Sequence, residues 1–323
     1  MRAVVCKELG DPEGLTVEQV PTVPCGPGEV RVRIWACGVN YVDALFVQGR
    51  YQIKPAVPFT PGSEISGELT EIGAEVDGWS IGDRVISSIG LGGFADEIVI
   101  DPARLLPLPD RLTFGQGATM FQSYATAWFT LTRRTSVAAG DWVGTLGAAG
   151  GVGLAMIDVA RSLGASTLAA VSSAERARLC IERGAHSVVD YSAEDLKTRV
   201  RELTDGGADV MIDPVGGPLA DAALRSLGEN GRLMVVGFAS GTIPDLPANQ
   251  ILLRNRQVIG VDWGAWALAN VDENDALMAE VMEAIERGVL NPIEPDEYPL
   301  ADAGQALRDL LERRVTGKVC LRA

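Results

Sequence analysis

The clearest pattern in the chain is a short apolar run followed by a glycine-rich turn and a segment with helical spacing. Residues 142–146 have the length and apolar content of a buried strand. From Leu154 to Leu163 apolar side chains recur near every third or fourth position, and Gly164 is placed to end the predicted helix. The turn between them therefore leads into a helix N-terminus, where free backbone N–H groups and the helix dipole favour an anion.

The turn is close to the dinucleotide fingerprint G-x-G-x-x-G, with Ala148 at the position of the first glycine. Gly150 would let the backbone approach a pyrophosphate, and Gly153 would let helix and strand pack closely. A tight turn that binds nothing is the alternative, but the strand before it and the helix after it favour a nucleotide. The residues expected to bind the diphosphate are Ala149, Gly150, Gly151 and Val152.

Two different arrangements of elements follow from the spacing of apolar residues. Up to residue 124 short strand patterns alternate with Pro and Gly, and residues 42–48 are the single clear helix candidate. From about residue 126 helical segments alternate with short apolar strands, which predicts an α/β fold with a doubly wound parallel sheet. Its predicted strands are residues 142–146, 167–171, 187–189, 210–212, 233–236 and 258–261.

We expect a nucleotide-binding domain over residues 125–264 and a mainly antiparallel domain over residues 1–124 and 265–323. The tail contains two helix candidates, residues 273–287 and 302–313, and then a last strand. We expect this tail to pack against the N-terminal domain. The length of 323 residues agrees with about two domains.

Charge and composition exclude some classes of function. The formal net charge is −15, which disfavours a general nucleic-acid binder because binding phosphates needs a positive field. No apolar run reaches the roughly 20 residues of a membrane span, and residues 1–7 look like a first strand rather than a signal peptide. The five cysteines have irregular spacing and are expected to be free thiols. We therefore expect a cytoplasmic protein with no membrane or nucleic-acid partner.

The residues after the second predicted strand of the sheet bear on the choice of nicotinamide cofactor. A fold that prefers NAD places Asp or Glu about 20 residues past the glycine turn, where it binds the ribose 2′-hydroxyl. Here Ser172 and Ser173 stand near that position and Arg176 follows, and these groups can bind a 2′-phosphate. Glu175 is expected to lie on a solvated helix face. The pattern favours NADPH; the alternative is that Arg176 is an ordinary surface arginine and that Arg178 serves instead.

Two further strand ends are candidate cofactor contacts, because open α/β sheets bind ligands at the carboxyl ends of their strands. Val215 follows the strand that ends at Asp213, and Gly237 and Phe238 follow the next strand. We expect these three residues to face the cofactor.

Ordered motifs along nearly the whole chain resemble the medium-chain dehydrogenase/reductases. The motifs are residues 37–43 (CGVNYVD), 61–64 (PGSE), 82–85 (GDRV), 148–153 (AAGGVG), 235–238 (VVGF) and 316–319 (TGKV). Within that family the chain resembles the zinc-free, zeta-crystallin-like quinone oxidoreductase branch. The resemblance implies a Rossmann domain together with a GroES-like, mainly antiparallel β domain. It also implies a homodimer with residues 258–261 near the interface.

The resemblance also bears on zinc. Zinc-dependent relatives bind the catalytic metal through a Cys and a His, and those positions hold Asn40 and Ser63 here. Amide and hydroxyl oxygens do not replace thiolate and imidazole as zinc ligands. Cys37 and Glu64 remain, but two potential ligands do not complete a site. We expect a protein without metal.

The resemblance implies positions near the rest of the cofactor, which in similar enzymes lies between the two domains. The Asn40 amide is expected to bind the nicotinamide ribose, and Thr126 is expected near the nicotinamide. Other expected neighbours are Tyr191 at the adenosine phosphate, Trp263 at the nicotinamide or the subunit interface, and Lys318. The alternatives are a plain helix cap for Asn40, a hydroxyl bonded to its own helix for Thr126 and a surface salt bridge for Lys318.

The chemistry that fits these features is hydride transfer from NADPH to a quinone or to the β-carbon of an enone or enal. Tyr51 is the first candidate to orient the acceptor or to donate a proton, Tyr41 is the second, and solvent is a further proton source. A second tyrosine found near the acceptor in some relatives is Leu45 here. Two other functions remain open: an enoyl-CoA or acryloyl-CoA reductase on the same scaffold, and a non-catalytic NADPH-binding sensor.

Overall fold

The strands of the computed structural model, which describes residues 1–323, are mostly short and are spread along the whole chain. In chain order they are β1 (Arg2–Val5), β2 (Thr16–Gln19), β3 (Val30–Gly38), β4 (Glu64–Ile72), β5 (Arg84–Ser88), β6 (Glu97–Ile100), β7 (Leu106–Pro107), β8 (Trp142–Leu146), β9 (Ser166–Val171), β10 (Ser187–Asp190), β11 (Ala208–Asp213), β12 (Leu227–Val235), β13 (Gln257–Gly260), β14 (Asp296–Pro299) and β15 (Val319–Arg322).

The α-helices lie mainly in the second half of the chain. In chain order they are α1 (Tyr41–Val47), α2 (Phe114–Phe129), α3 (Gly151–Ser162), α4 (Ala174–Glu182), α5 (Leu196–Leu203), α6 (Pro218–Ser226), α7 (Ala248–Leu252), α8 (Trp263–Ala269), α9 (Val271–Glu286) and α10 (Ala303–Leu311). Helix α2 continues directly into a π-helical turn, Thr130–Arg134. None of these helices combines the length and the apolar character that a bilayer span requires.

The chain divides into two units. Unit 1 contains Met1–Gln122 and Pro292–Ala323, and unit 2 contains Ser123–Asn291. The second boundary of the units lies at Asn291, whereas the sequence predicts the tail to begin at residue 265. The physical reason is that helix α9 is fastened within unit 2. Its Glu280 accepts a hydrogen bond from Trp128 Nε1 at 2.6 Å and another from Arg133 at 2.6 Å.

Unit 2 is a parallel sheet with helices between its strands. The six strands stand in the order β10-β9-β8-β11-β12-β13, and every neighbouring pair is parallel. This is the strand order of a doubly wound Rossmann fold, with its change of direction between β8 and β11. The predicted start of β12 at residue 233 is wrong, because the strand begins at Leu227. Its first residues read as a turn in the sequence, and the pairing of β12 with β11 shifts register there.

Unit 1 is mainly antiparallel. Its larger sheet has the order β14-β15-β3-β4-β5-β7, and β6 pairs with β3 beside this path. β1 and β2 form a separate antiparallel pair. Alternate residues of β3, among them Val30, Val32 and Ile34, are buried in the core, which Ala44 of α1 and Leu307 of α10 complete. The sequence pattern of β3 therefore predicts its buried face correctly.

Helix α2 is absent from the elements that the sequence predicts. The prediction of a single clear helix before residue 124 is wrong, because α2 begins at Phe114. Gly115 and Gly117 in its first turns each disfavour a helix by about 1 kcal/mol relative to Ala. Packing requires one of them, since a Cβ on Gly117 would lie 2.6 Å from Leu108 Cδ1 and 2.9 Å from Ile86 Cγ2. Tertiary contacts thus decide a helix that local propensity disfavours.

All five cysteines are free thiols. Cys6, Cys37, Cys180 and Cys320 are buried, and Cys25 is half-buried. Burial raises the pKa of each thiol, to about 12 for Cys180 and Cys320. The chain therefore keeps its sulfur atoms in the neutral form.

Candidate active site

The glycine turn of unit 2 joins β8 to α3. Gly150 is extended, with φ −86° and ψ 170°, and the helix begins at Gly151. A Cβ on Gly153 would lie 2.6 Å from Ala148 Cα, so glycine is what allows α3 to pack this close to the turn. A Cβ on Gly150 would meet only the carbonyl oxygen of Gly147, at 3.5 Å. The space beside the Gly150 backbone is therefore open, and binding of a diphosphate there stays a prediction.

The first turn of α3 offers backbone donors to an anion. Gly151, Val152 and Gly153 stand where no earlier helical carbonyl can accept their N–H groups. Ala149, which precedes the helix, is buried and has only a methyl side chain. The helix dipole adds partial positive charge at the same place. These features fit the diphosphate of a dinucleotide.

Ser172, Ser173 and Arg176 come together at the end of β9. Arg176 Nη1 donates to Ser172 Oγ at 2.7 Å, and Ser173 caps α4 by accepting the Arg176 backbone N–H at 3.3 Å. The backbone N–H of Tyr191 donates to the last carbonyl of β9 at 3.0 Å, which places Tyr191 beside the same strand end. Glu175 is exposed on α4. A guanidinium and two hydroxyls at this point have the chemistry that binds a phosphate.

A buried carboxylate holds the loop after β11. Asp213 Oδ1 accepts the backbone N–H groups of Val215 at 2.8 Å and of Gly216 at 2.7 Å. The carbonyl oxygen of Asp213 accepts from Val236 at 2.9 Å and from Gly237 at 3.3 Å. One residue therefore fixes the two loops that follow β11 and β12.

The same loops pack against each other and against the glycine turn. Val215 Cγ2 would lie 3.0 Å from a Cβ on Gly147, and the Val215 carbonyl accepts the Ser240 N–H at 2.8 Å. Gly216, at φ +69°, has no room for a side chain because Phe238 Cδ1 lies 3.0 Å from its would-be Cβ. The structure thus brings the strand-end residues that the sequence predicts to one edge of the sheet.

Two other predicted cofactor neighbours lie on helices of unit 2. Thr126 is half-buried on α2, and its carbonyl accepts the Thr130 hydroxyl at 2.6 Å. Trp263 is the first residue of α8, and its indole Nε1 donates to Asn274 Oδ1 at 3.0 Å. Their positions near a nicotinamide stay predictions.

In unit 1, Asn40 lies between β3 and α1 as the N-cap residue of the helix, in a capping box with Asp43. Asp43 Oδ2 accepts the Asn40 backbone N–H at 2.8 Å. The Asn40 carboxamide accepts from Lys318 Nζ through Oδ1 at 2.7 Å and donates through Nδ2 to Glu64 Oε2 at 2.9 Å. Asn40 therefore does more than the plain helix cap of the alternative, because its carboxamide also bonds Lys318 and Glu64.

Lys318 lies in the interior of unit 1 and not in a surface salt bridge, so that alternative is wrong. Lys318 is only 8% exposed, and Glu64 is fully buried. Burial lowers the pKa of Lys318 and raises the pKa of Glu64, while the attraction between the two charges opposes both shifts. The Asn40 carboxamide thus links two opposite charges that burial disfavours.

A second buried carboxyl group lies beside this chain of hydrogen bonds. Burial raises the pKa of Asp43 to about 7; the Asn40 N–H and the nearby Ser63 hydroxyl oppose the rise, and the charge of Glu64 adds to it. Asp43 Oδ1 has no hydrogen-bond partner. Ser63 Oγ accepts from Gln122 Nε2 at 2.9 Å, which ties the start of the network to α2.

The two candidate tyrosines lie on and after α1. Tyr41 is its first residue, directly after Asn40, and Tyr51 follows the turn at Gly49. The Tyr51 ring packs edge-on against Phe46, with ring centroids 4.9 Å apart. Both tyrosines are half-buried. Their roles toward an acceptor stay predictions.

The side chains of this region do not fit a zinc ion. In residues 1–323 no group of three His, Cys, Asp or Glu side chains comes together in a way that could hold a metal. Asn40 and Ser63 supply an amide and a hydroxyl, and the Lys318 ammonium already bonds to Asn40. Zinc sites in proteins use three or four nitrogen, thiolate or carboxylate ligands. The positive charge of Lys318 beside Asn40 would also repel a zinc ion.

Comparisons with known proteins agree with this architecture. The family model of the alcohol dehydrogenase GroES-like domain matches residues 26–110, and that of the zinc-binding dehydrogenases matches residues 151–283. Quinone oxidoreductase-like protein 2 of Bos taurus is 39% identical over 322 residues, which cover 99% of this chain and 92% of that protein. The chain belongs to the quinone oxidoreductase branch of the medium-chain dehydrogenase/reductases.

Solved quinone oxidoreductases share the fold over the whole chain. The Escherichia coli quinone oxidoreductase complexed with NADPH is 26% identical, with a TM-score of 0.90 and 100% of both chains covered. The Thermus thermophilus quinone oxidoreductase, also solved in complex with NADPH, is 31% identical, with a TM-score of 0.86 and the same coverage. The predicted fold class of this family member, a Rossmann sheet and a GroES-like domain, is confirmed.

Three acidic residues, one in unit 2 and two in unit 1, organise the candidate binding residues of their own unit, and none of the three was predicted to bind the cofactor. Asp213 is the last residue of its strand, a position where side chains face ligands in open sheets. Asp43 stands three residues after Asn40, which is the spacing of a capping box. Glu64 stands out in the sequence only as a remnant metal ligand. Of the three, only Asp43 and Asp213 could therefore have been recognised from the sequence alone.

Replacing Asp43 by Asn should change how stability depends on pH. The raised pKa of Asp43 means that the folded protein holds a proton which the unfolded chain releases between about pH 4 and pH 7. Stability from this group therefore falls as the pH rises through that window. The stability of Asp43→Asn relative to wild type should rise over the same window by a few kcal/mol at most, since each pKa unit is worth about 1.4 kcal/mol.

Urea denaturation at several pH values across that window measures this difference. Asp101→Asn is a matched control, because Asp101 is an exposed capping carboxylate that accepts the Ala103 N–H. A difference between Asp43→Asn and wild type that stays constant with pH would contradict the prediction.

Proposed function

We propose that this protein is an NADPH-dependent reductase of quinones or of α,β-unsaturated carbonyl compounds that works without zinc. The observation that carries the proposal is the group formed by Ser172, Ser173 and Arg176 at the end of the strand after the glycine turn. That strand end has the hydroxyls and the cation that suit a 2′-phosphate, where an NAD-binding fold has a carboxylate. The NADPH complexes of the E. coli and T. thermophilus relatives support the same cofactor.

In this proposal the nucleotide is held by strand ends and by the glycine turn. The diphosphate binds the backbone at residues 149–152, and the 2′-phosphate binds Arg176 with its two serines, beside Tyr191. The residues proposed for the nicotinamide end are Val215, Gly237, Phe238, Thr126, Trp263, Asn40 and Lys318. Asp213 takes no direct part but fixes the loops that carry three of these residues.

The chemistry follows from these groups. When bound, NADPH supplies a hydride from its nicotinamide ring to an electron-poor acceptor. The residues of this chain hold the acceptor and exclude water, and Tyr51, or in second place Tyr41, donates the proton unless solvent does. Without a zinc ion to polarise an alcohol or an isolated carbonyl, a conjugated and already electrophilic acceptor is the suitable substrate.

An acceptor screen at fixed NADPH tests this function. NADPH oxidation should depend on added 1,4-quinones or enals, and a metal chelator should leave the rate unchanged. NADP+ with simple alcohols should react at least about tenfold more slowly, as expected without a Lewis acid. A preference for enoyl thioesters would indicate an acyl-CoA reductase. Tight NADPH binding without acceptor-dependent oxidation would indicate a sensor and would contradict the proposal.

Replacing Arg176 by Ala should weaken the binding of NADPH but not that of NADH. A charge-assisted hydrogen bond to the 2′-phosphate is worth about 1.5–3 kcal/mol, so KM for NADPH should rise about 10- to 100-fold. KM for NADH should not change, since NADH has no 2′-phosphate. Arg178→Ala is the matched control, because Arg178 is exposed on the same helix. Equal KM values for NADPH in wild type and Arg176→Ala would rule out this role.

We also propose a homodimer that forms through the edge of the parallel sheet. Strand β13 lies at the end of the strand order, so one of its edges has no neighbour, and most of its residues are exposed. Leu252 shortly before it and Leu268 shortly after it are 77% and 80% exposed. Uncovered strand edges and large exposed apolar side chains are typical of surfaces that pair with another chain.

Placing a charge on this edge should separate the subunits. Val258→Lys should convert the dimer into a monomer of 34.2 kDa, because a lysine on an edge strand opposes strand pairing. Size-exclusion chromatography with light scattering measures the mass. Ile81→Lys is the control, since Ile81 is an exposed apolar residue of unit 1. A wild-type protein that is already monomeric would disprove the homodimer.

A further inference from the structure

Lys318, Asn40 and Glu64 form a chain of hydrogen bonds with only one possible polarity. An ammonium group can only donate and an ionised carboxylate can only accept. Asn40 Oδ1 must therefore face Lys318, at 2.7 Å, and Asn40 Nδ2 must face Glu64, at 2.9 Å. A carboxamide without such neighbours can turn over about its last torsion. Between opposite charges, the carboxamide of Asn40 has one orientation.

The three side chains differ in their access to solvent. Glu64 is fully buried and Lys318 is almost so, whereas Asn40 is half-buried. Asn40 also keeps one N–H and one carbonyl lone pair that neither neighbour uses. The two charges therefore lie beneath a neutral group that still has a donor and an acceptor to offer.

The surroundings hold this arrangement on every side. Glu64 Oε1 accepts the backbone N–H of Gln122 at 3.3 Å, and Asp43 holds the backbone N–H of Asn40. A Cβ on Gly38 would lie 2.1 Å from the Ala118 carbonyl oxygen, so β3 and α2 approach closely beside Asn40. A buried pair of opposite charges adds little net stability, since apolar residues of similar volume often serve as well. Its presence here therefore points to a task other than stability.

We propose that Lys318 and Glu64 are positioning residues, which hold the Asn40 carboxamide in the orientation that binds the hydroxyl groups of the nicotinamide ribose. This inference rests on the proposed function and deepens it, because Lys318 then acts through Asn40 and does not itself bind the nicotinamide. A ribose hydroxyl both donates and accepts, so it can meet the free N–H and the free lone pair of Asn40. Without Lys318, Glu64 loses the charge that favours its ionised form, and a protonated carboxyl group can donate as well as accept. Asn40 can then turn and present the wrong group.

A double-mutant cycle between Lys318 and Asn40 tests this role. Lys318→Met alone should lower kcat/KM for NADPH at least about tenfold, the effect of losing one oriented hydrogen-bonding group. In an Asn40→Ala background the same change should lower kcat/KM by less than about twofold, because the group that Lys318 positions is gone. Equal effects of Lys318→Met in the two backgrounds would overturn the proposal.

A second pair of variants separates positioning from stability. Lys318→Met leaves the Glu64 carboxylate without its counter-charge and should lower the stability measured by urea denaturation, and adding Glu64→Gln should restore much of it. Positioning requires that kcat/KM stays low in this double variant, since neither charge then orients Asn40. Recovery of kcat/KM together with stability would show a purely structural role. Lys7→Met, which removes a surface lysine paired with Glu18, is the control and should change neither quantity.

An NMR measurement makes the test independent of turnover. In wild type the Asn40 side-chain N–H that faces Glu64 should exchange slowly with water, and Lys318→Met should speed that exchange. If the wild type oxidises NADPH with none of the acceptors, the proposed function fails while this exchange still reports on the orientation of Asn40. Asn40 signals that are the same in wild type and Lys318→Met would overturn the positioning role.

Discussion

Parallel strands leave the loops that follow them at one edge of a sheet, and in unit 2 one buried carboxylate ties two of those loops together. Burial raises the pKa of Asp213, and the N–H groups of Gly216 and Val215 oppose that rise. The cost of burying the carboxyl group is therefore partly offset by the bonds that shape the loop. Val215 also lies close to Gly147 of the glycine turn. Asp213, which holds the backbone of Val215, therefore also supports that turn. A cofactor that binds this edge meets a surface that is already formed.

In unit 1 the buried charged groups have a different effect. There the charges of Lys318 and Glu64 do not order a backbone loop but act on a single carboxamide. Asp213 accepts hydrogen bonds from main-chain N–H groups, and another acceptor could do the same. A carboxamide between two ions, in contrast, has its donor end and its acceptor end fixed. The two units thus show two ways in which buried acids can prepare a binding surface: one sets the path of the chain, and the other sets the orientation of a side chain.

Local signals predicted much of this fold, and long-range contacts decided the rest. The glycine turn, the strands of the parallel sheet and the hydroxyls after β9 are each visible in a short stretch of sequence, where periodicity and turn chemistry apply. The sequence does not predict helix α2, because Gly117 lowers its local helix propensity. The same glycine allows the helix to pack closely against Leu108. The bond from Lys318 to Asn40 joins residues 278 apart in the sequence, so no local pattern reports it. The same holds for α9, whose place in unit 2 depends on Glu280 and its partners near residue 130.

The state of the cysteines has a consequence for a protein that handles electrophilic acceptors. Quinones and enals add to thiolates, so a reductase of such compounds is exposed to alkylation by its own substrates. Here four of the five thiols are inaccessible and the pKa of every one is raised by burial, so neither contact nor charge favours the addition. Packing that serves the cores of both units thereby also gives the chain chemical tolerance toward the reactive compounds it is proposed to reduce.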